Sequence, residues 1–178
     1  MYSKAQILGH PIHPMLVAFP VAFYTSTLIA FIVYAATGSV FWFHLANVAN
    51  WAGVITAGAA ALPGLIDWGT GIPAHTRPKN TGLKHAALNV TALVLFLINA
   101  ITYSNRWNQL PGAGTGIVLS AIGVLLTLPA GFLGWSLVQD HHVGVRLSPE
   151  QERLEKVGTS TAEAPPRTPG VPPTTPRA

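Results

Sequence analysis

The side chains best suited to chemistry in this chain are histidines and aspartates placed beside long apolar runs. His10 and His13 stand in Gly9-His10-Pro11-Ile12-His13-Pro14, Asp67 in Gly64-Leu65-Ile66-Asp67-Trp68, and His85 in Lys84-His85-Ala86-Ala87. Asp140-His141-His142 follows the last apolar run. Neutral imidazole is a common ligand for zinc, copper, iron and haem iron, and a carboxylate beside it can ligate or orient the ring. The chain has no cysteine, so disulfides, thiolate metal sites and cysteine-held iron-sulfur clusters are excluded. The metal-ligand set expected on this pattern is His10, His13, Asp67, His85 and His141, with His44, His75 and His142 as structural or surface residues. Against it stands the plainer reading that an interfacial histidine is half-solvated and an aspartate after a helix caps backbone groups.

The elements that must position these residues are legible from hydropathy. Hydrophobic residues make up 49% of the chain and charged residues 9%, with a mean hydropathy of +0.41, too little charge for an ordinary soluble surface. Apolar runs long enough to cross a bilayer occupy about 14–37, 43–66, 84–103 and 116–138. The fold expected is all-α: a polytopic four-transmembrane-helix bundle over 1–147, then a charged and Pro/Thr/Ala-rich tail over 148–178, largely disordered for want of apolar periodicity. Met15 to Tyr34 exceeds the apolar core of a signal peptide and reads as a retained helix. The net charge of +4 is scattered beside the apolar runs, which speaks for membrane topology and against nucleic-acid binding.

Local signals refine this picture. His10 and His13 each precede a proline, and Pro14 suits a first helical position, so helix 1 should start there with His10 to His13 extended and both imidazoles on one side. Residues Gly69 to Thr81 read as a loop rich in turn formers. Gly53, Ala57 and Ala61 in the second run, and Ser120, Gly123, Thr127, Gly131 and Gly134 in the fourth, form stripes of small residues that let helices approach. Asn47 and Asn50 at membrane depth must face partners inside the bundle. The two hairpins also look alike: Ala-Leu-Pro-Gly-Leu-Ile-Asp-Trp ends one and Thr-Leu-Pro-Ala-Gly-Phe-Leu-Gly-Trp ends the other, and a two-fold axis along the membrane normal would relate such units.

Four crossings put the N-terminus, the 67–83 segment and the tail on one side. Lys4, Arg77, Lys79, Lys84 and Arg146 lie on that side near helix ends, with four more basic residues in the tail, against Arg106 alone on the other. The positive-inside rule makes that side cytoplasmic, in what reads as a bacterial inner membrane. The same side receives every candidate ligand. No phosphate-binding glycine loop, no Gly-x-Ser-x-Gly elbow and no mid-span ionisable group is present, which argues against hydrolysis, phosphoryl transfer and proton-coupled transport.

The motifs Gly9-His10-Pro11-Ile12-His13-Pro14, Gly64-Leu65-Ile66-Asp67-Trp68, His85-Ala86-Ala87-Leu88-Asn89-Val90, and Leu137-Val138 with His141 and Val143-Gly144-Val145 together resemble the bacterial membrane-protein family filed as domain of unknown function 2231. The resemblance covers about residues 7 to 147. It implies a four-helix membrane domain and singles out His10, His13, Asp67, His85 and His141. Some relatives join a similar domain to a Rieske-type iron-sulfur module, which implies membrane electron transfer; this chain departs from them in having no cysteine. The expectation is therefore a b-type haem or a histidine-ligated metal held by His85, His141, His13 and His10, with His85 and His141 as the axial pair, serving electron transfer with a membrane redox partner or a second copy of the chain. The alternatives are a non-redox divalent-metal site and a purely structural or interaction subunit.

Overall fold

The computed structural model describes residues 3–154. The chain divides into two units, Met1–Val145 and Arg146–Ala178, and the four long helices all belong to the first. In the second unit residues 149–154 are helical, and the remainder of the expected tail, 155–178, lies outside the described residues.

The chain enters through a small antiparallel hairpin, β1 (Gln6–Ile7) and β2 (His10–Pro11), in which Ile7 pairs with His10. Leu8 and Gly9 form its two-residue turn with φ of 50° and 83°, the left-handed geometry that a tight hairpin requires. Helix α1 (Ile12–Leu16) follows at once, anchored by the Ile12 N–H donating to Ala5 O at 3.0 Å. His10 is thus in a strand and His13 in a first helical turn, which corrects the expected extended segment with both rings on one side. Pro14 does not open the helix; it sits third in it, where a missing N–H still costs no intrahelical bond.

Helix α1 breaks at Val17 before α2 (Ala18–Thr37), because Pro20 has no N–H to offer Leu16 O. Gly38 ends α2 with φ 67°, its N–H donating to Tyr34 O at 2.8 Å. Helix α3 (Val40–Ile66) runs on into a π-helical turn, Asp67–Gly71. Helix α4 (Arg77–Ser104) begins seven residues before the expected position, so most of the anticipated loop is helical. The residues that read as turn formers act there as helix starters: Thr76 caps, its Oγ1 accepting from the Lys79 N–H at 3.4 Å, and Pro78 fits the first turn. Helix α5 (Gly114–Gln139) completes the bundle.

The four helical segments, Ile12–Thr37, Val40–Gly71, Arg77–Ser104 and Gly114–Gln139, are long and apolar enough to span a membrane. Their outer faces carry exposed Phe19, Ile29, Ile55, Leu62, Ile98, Leu125, Leu128 and Phe132, while Thr27, Asn47, Asn50, Asn99 and Ser120 are buried. Apolar side chains outside and amides inside would be costly in water and suit a hydrocarbon solvent, where each polar group needs a protein partner. Asn50 meets that need with its amide turned so that Nδ2 faces Phe96 O at 3.1 Å and Oδ1 faces the Ala100 N–H at 3.0 Å.

Helix α2 packs chiefly on α3 and α4 on α5, and the hairpins meet through α2 against α5 and α3 against α4. This arrangement is an approximate two-fold. His13 meets His85, Tyr24 meets Phe96 and Phe31 meets Tyr103, with ring centroids 6.1, 3.7 and 4.9 Å apart, and the partners in every pair are 72 positions apart in sequence. Each upper ring rests on a glycine of the neighbouring helix: His13 on Gly64 and His85 on Gly134, Tyr24 on Gly53 and Phe96 on Gly123. Those glycines are 70 positions apart within each set. The Leu-Pro motifs that suggested the likeness do not mark its register, since Pro63 is buried and Pro129 exposed and the two are 66 positions apart.

Candidate functional site

The axis leaves one end of the bundle between His13 and His85. The rings stand nearly perpendicular, at 88°. His13 Nδ1 lies 2.7 Å from Ala60 O on α3, and His85 Nδ1 lies 2.7 Å from Ala130 O on α5. A carbonyl only accepts, so Nδ1 carries the proton in both rings, and in the neutral imidazole Nε2 is then the atom with the lone pair. The local cause is the same on both sides: Ala60 and Gly64, like Ala130 and Gly134, are four residues apart on a helix. A side chain at the later position would lie over the carbonyl of the earlier one. A Cβ at Gly64 would stand 2.8 Å from His13 Nδ1, and one at Gly134 would stand 3.0 Å from His85 Cε1. Glycine therefore opens each carbonyl to an imidazole.

The two halves differ at one residue. Asn89, one turn after His85, donates from Nδ2 to His85 O at 2.9 Å and has the same nitrogen 3.3 Å from His85 Nε2. The position related to Asn89 in the first hairpin is Val17, so His13 has no such neighbour on its own helix.

Of the five expected ligands, the structure brings these two together. Among the described residues no group of three His, Asp or Glu side chains stands close enough to hold one metal ion. His10 is exposed, its Nδ1 3.1 Å from Leu8 O within its own hairpin. Asp67 serves the N-terminal segment: Oδ2 accepts from Ser3 Oγ at 2.6 Å, and Oδ1 accepts from the N–H groups of Lys4 and Ala5 at 2.6 and 2.9 Å. His141 is half-buried just past α5, where its N–H donates to Ser136 O at 3.2 Å. The sequence pairs His85 with His141; the structure sets His13 against His85 instead. The reason is depth. Because α4 starts at Arg77, His85 lies two turns inside it and level with Ala130 and Gly134, and His141 lies seven residues beyond Gly134, about 10 Å along a helix axis.

Sequence reasoning missed the carbonyl acceptors of Ala60 and Ala130, and with them the part played by Gly64 and Gly134. The signal available was the Ala-x-x-x-Gly spacing repeated at the ends of both hairpins. It also passed over Lys79, whose Nζ donates to Trp68 O and to the carbonyls of Gly69 and Ile72 at 3.4 and 3.3 Å while standing 4.2 Å over the Trp68 ring. Trp68 Nε1 returns a bond to Lys79 O at 3.0 Å, and Gly82 gives the indole its room. This clamp closes the π-helical turn and fixes the start of α4 relative to Asp67.

The family model described as predicted membrane protein (DUF2231) matches residues 9–147. The chain belongs to this family. The match runs from the turn of the entry hairpin through α5 and includes both members of the histidine pair, Asp67 and His141. No curated protein and no solved structure matches the chain. What membership establishes is a predicted membrane protein, in agreement with the four spans and the inverted distribution of polar and apolar side chains.

Proposed function

We propose that this protein holds one histidine-ligated transition-metal ion between His13 and His85 at the cytoplasmic end of the bundle and serves electron transfer within a bacterial inner membrane. The observation that carries the reading is the orientation of the rings: both bind a main-chain carbonyl through Nδ1–H, which fixes the tautomer and leaves Nε2 as a basic ligand atom, the usual outer-sphere arrangement of a metal-binding histidine. The 6.1 Å between centroids is about what two imidazoles require to share one ion through nitrogens at roughly 2.0–2.1 Å. Neutral imidazole suits copper, iron and zinc, and the first two would supply the redox change. A single ion fits these surroundings better than a haem. Both rings are packed directly on glycine backbone, and neither the groove walled by His10, Pro14 and Val143 nor the one walled by Trp51, Ile55 and Trp107 is lined by His13 or His85. The cytoplasmic assignment rests on the basic residues at that end. A redox partner or a second copy would exchange electrons there.

Asn89 supports a second reading. Its Nδ2 stands within reach of His85 Nε2, the lone pair a metal would use. On that reading the histidines are staples, His13 joining α1 to α3 and His85 joining α4 to α5, in a structural membrane subunit. Purified protein decides between them: metal content by mass spectrometry, with optical and paramagnetic-resonance spectra before and after dithionite. About one copper or iron per chain with a spectral change on reduction, lost in His13→Ala and His85→Ala, is expected. Stoichiometric zinc without that change would leave a non-redox site, and metal-free protein would sink the proposal in favour of staples.

A further inference from the structure

The turn of the entry hairpin combines backbone strain with apolar exposure. Leu8 holds its first position with φ 50° and Gly9 its second with φ 83°. Asparagine, aspartate and glycine suit such a turn, because a Cβ at positive φ crowds the main chain. Here a leucine takes the place, 93% exposed, beside Ile7 at 63%. Neither the strain nor the exposure is offset inside the protein, since a side chain so open touches little of it. A local conflict of this kind points to what lies outside the fold.

Depth says what lies there. The hairpin runs directly into the first span, Ile12–Thr37, whose 26 residues measure about 39 Å along a helix. The hydrocarbon layer is about 30 Å thick and the whole bilayer about 40–45 Å. With the span centred, Ile12 lies about 4–5 Å outside the hydrocarbon, within the headgroup layer, and any tilt draws it inward. The hairpin lies beside the helix ends at that level. A groove of about 420 Å³ is lined by Pro11 of β2 together with Met15 of α1 and Val138 of α5, and a Cβ at Gly144 would stand 3.6 Å from Pro11 Cγ. Strand β2 is therefore level with the first turn of one span and the last turn of another, where acyl chains begin.

We infer that the Ile7–Leu8 tip is an interfacial anchor, inserted at the boundary between the headgroups and the acyl chains of the surrounding phospholipid. Asp67 ties the incoming segment, Ser3 to Ala5, to the end of α3, and the tip ties the other end of the hairpin to the bilayer. The inference stands independently of the metal reading, because the tip contains neither histidine of the pair.

The chain has no cysteine, so Ile7→Cys in the full-length protein carries a single nitroxide label while Leu8 stays in place. In phosphatidylcholine liposomes, power-saturation paramagnetic resonance compares collisions of the label with oxygen, which dissolves among acyl chains, and with a water-soluble nickel chelate. His75→Cys, at an exposed position just before α4, gives the aqueous reference. The label at position 7 is expected to meet the nickel chelate several-fold less often than the label at position 75, and oxygen more often. Adding Leu8→Asn to the labelled chain keeps the hairpin, because asparagine suits the positive φ, but removes the apolar tip, and nickel collisions should rise several-fold toward the reference. Nickel access at position 7 equal to that at position 75 would place the tip in water. A label shielded from both reagents would place it against a second copy of the chain, and unchanged access in Leu8→Asn would show that Leu8 anchors nothing. Each of these three outcomes overturns the inference.

Discussion

Replacing Gly64 with alanine tests the way this bundle seats its imidazoles. The new Cβ would lie 2.8 Å from His13 Nδ1, 3.0 Å from Cε1 and 3.3 Å from Cγ. Three ring atoms are met at once, so rotation about the ring's own axis gives no relief and the imidazole must leave Ala60 O. The lost hydrogen bond is worth about 1 kcal/mol. Overpacking of the α1–α3 contact adds about 1–3 kcal/mol. Alanine in place of glycine inside a helix returns about 1 kcal/mol. The expected net loss is therefore about 1–3 kcal/mol in the native background. In a His13→Ala background the ring is absent, only the propensity gain survives, and Gly64→Ala should be neutral or stabilising by up to about 1 kcal/mol. The coupling between the two positions is then about 1–4 kcal/mol, beyond the few tenths seen for independent sites. Equilibrium unfolding in mixed micelles with increasing dodecyl sulfate, followed by helical circular dichroism, measures all four corners of the cycle. A Gly64→Ala cost below about 0.5 kcal/mol, or the same cost with and without His13, would refute the argument that glycine is present to admit the imidazole.

Three further outcomes follow from the packing. Gly123→Ala should destabilise by about 1–3 kcal/mol, since its Cβ would stand 2.5 Å from Phe96 Cε2 in a ring held against Tyr24, whereas Gly131→Ala, with open space around it, should stabilise by about 0.5–1 kcal/mol; the same unfolding assay compares them. Asp67→Ala removes the acceptor for Ser3, Lys4 and Ala5, so amide exchange at Lys4 and Ala5 should quicken at least tenfold while α3 to α5 stay protected, and unchanged exchange would show that the segment is held by other means. Lys79→Met should cost about 1 kcal/mol and shift the Trp68 emission, because the carbonyls of Trp68, Gly69 and Ile72 lose their donor and the indole its cation; a stability and emission equal to the native protein's would count against the clamp.

The sequence by itself determined the four spans, because a run of about 20 apolar residues has few other places to go, and it determined that Asn47 and Asn50 turn inward, because lipid cannot bond an amide. It also marked His13 and His85 as candidate residues. It could not choose their partners. Whether α4 begins at His85 or at Arg77 depends on Thr76 and Pro78 acting as helix starters, a choice made by the clamp between Lys79 and Trp68 across the turn. That shift of two turns carries His85 to the level of Gly134 and away from His141. Asp67, read as a metal ligand, is claimed by the N–H groups of Lys4 and Ala5 in the segment leading into the hairpin, whose position no local pattern specifies. The pairing of His13 with His85 is likewise decided only in three dimensions: it needs two hairpins to meet about a common axis, and the contact between them is made ring on ring by residues 72 positions apart, His13 on His85, Tyr24 on Phe96 and Phe31 on Tyr103. Hydropathy is a property of single segments and survives in the sequence. Register between helices is a property of pairs of surfaces, and it appears only when they pack.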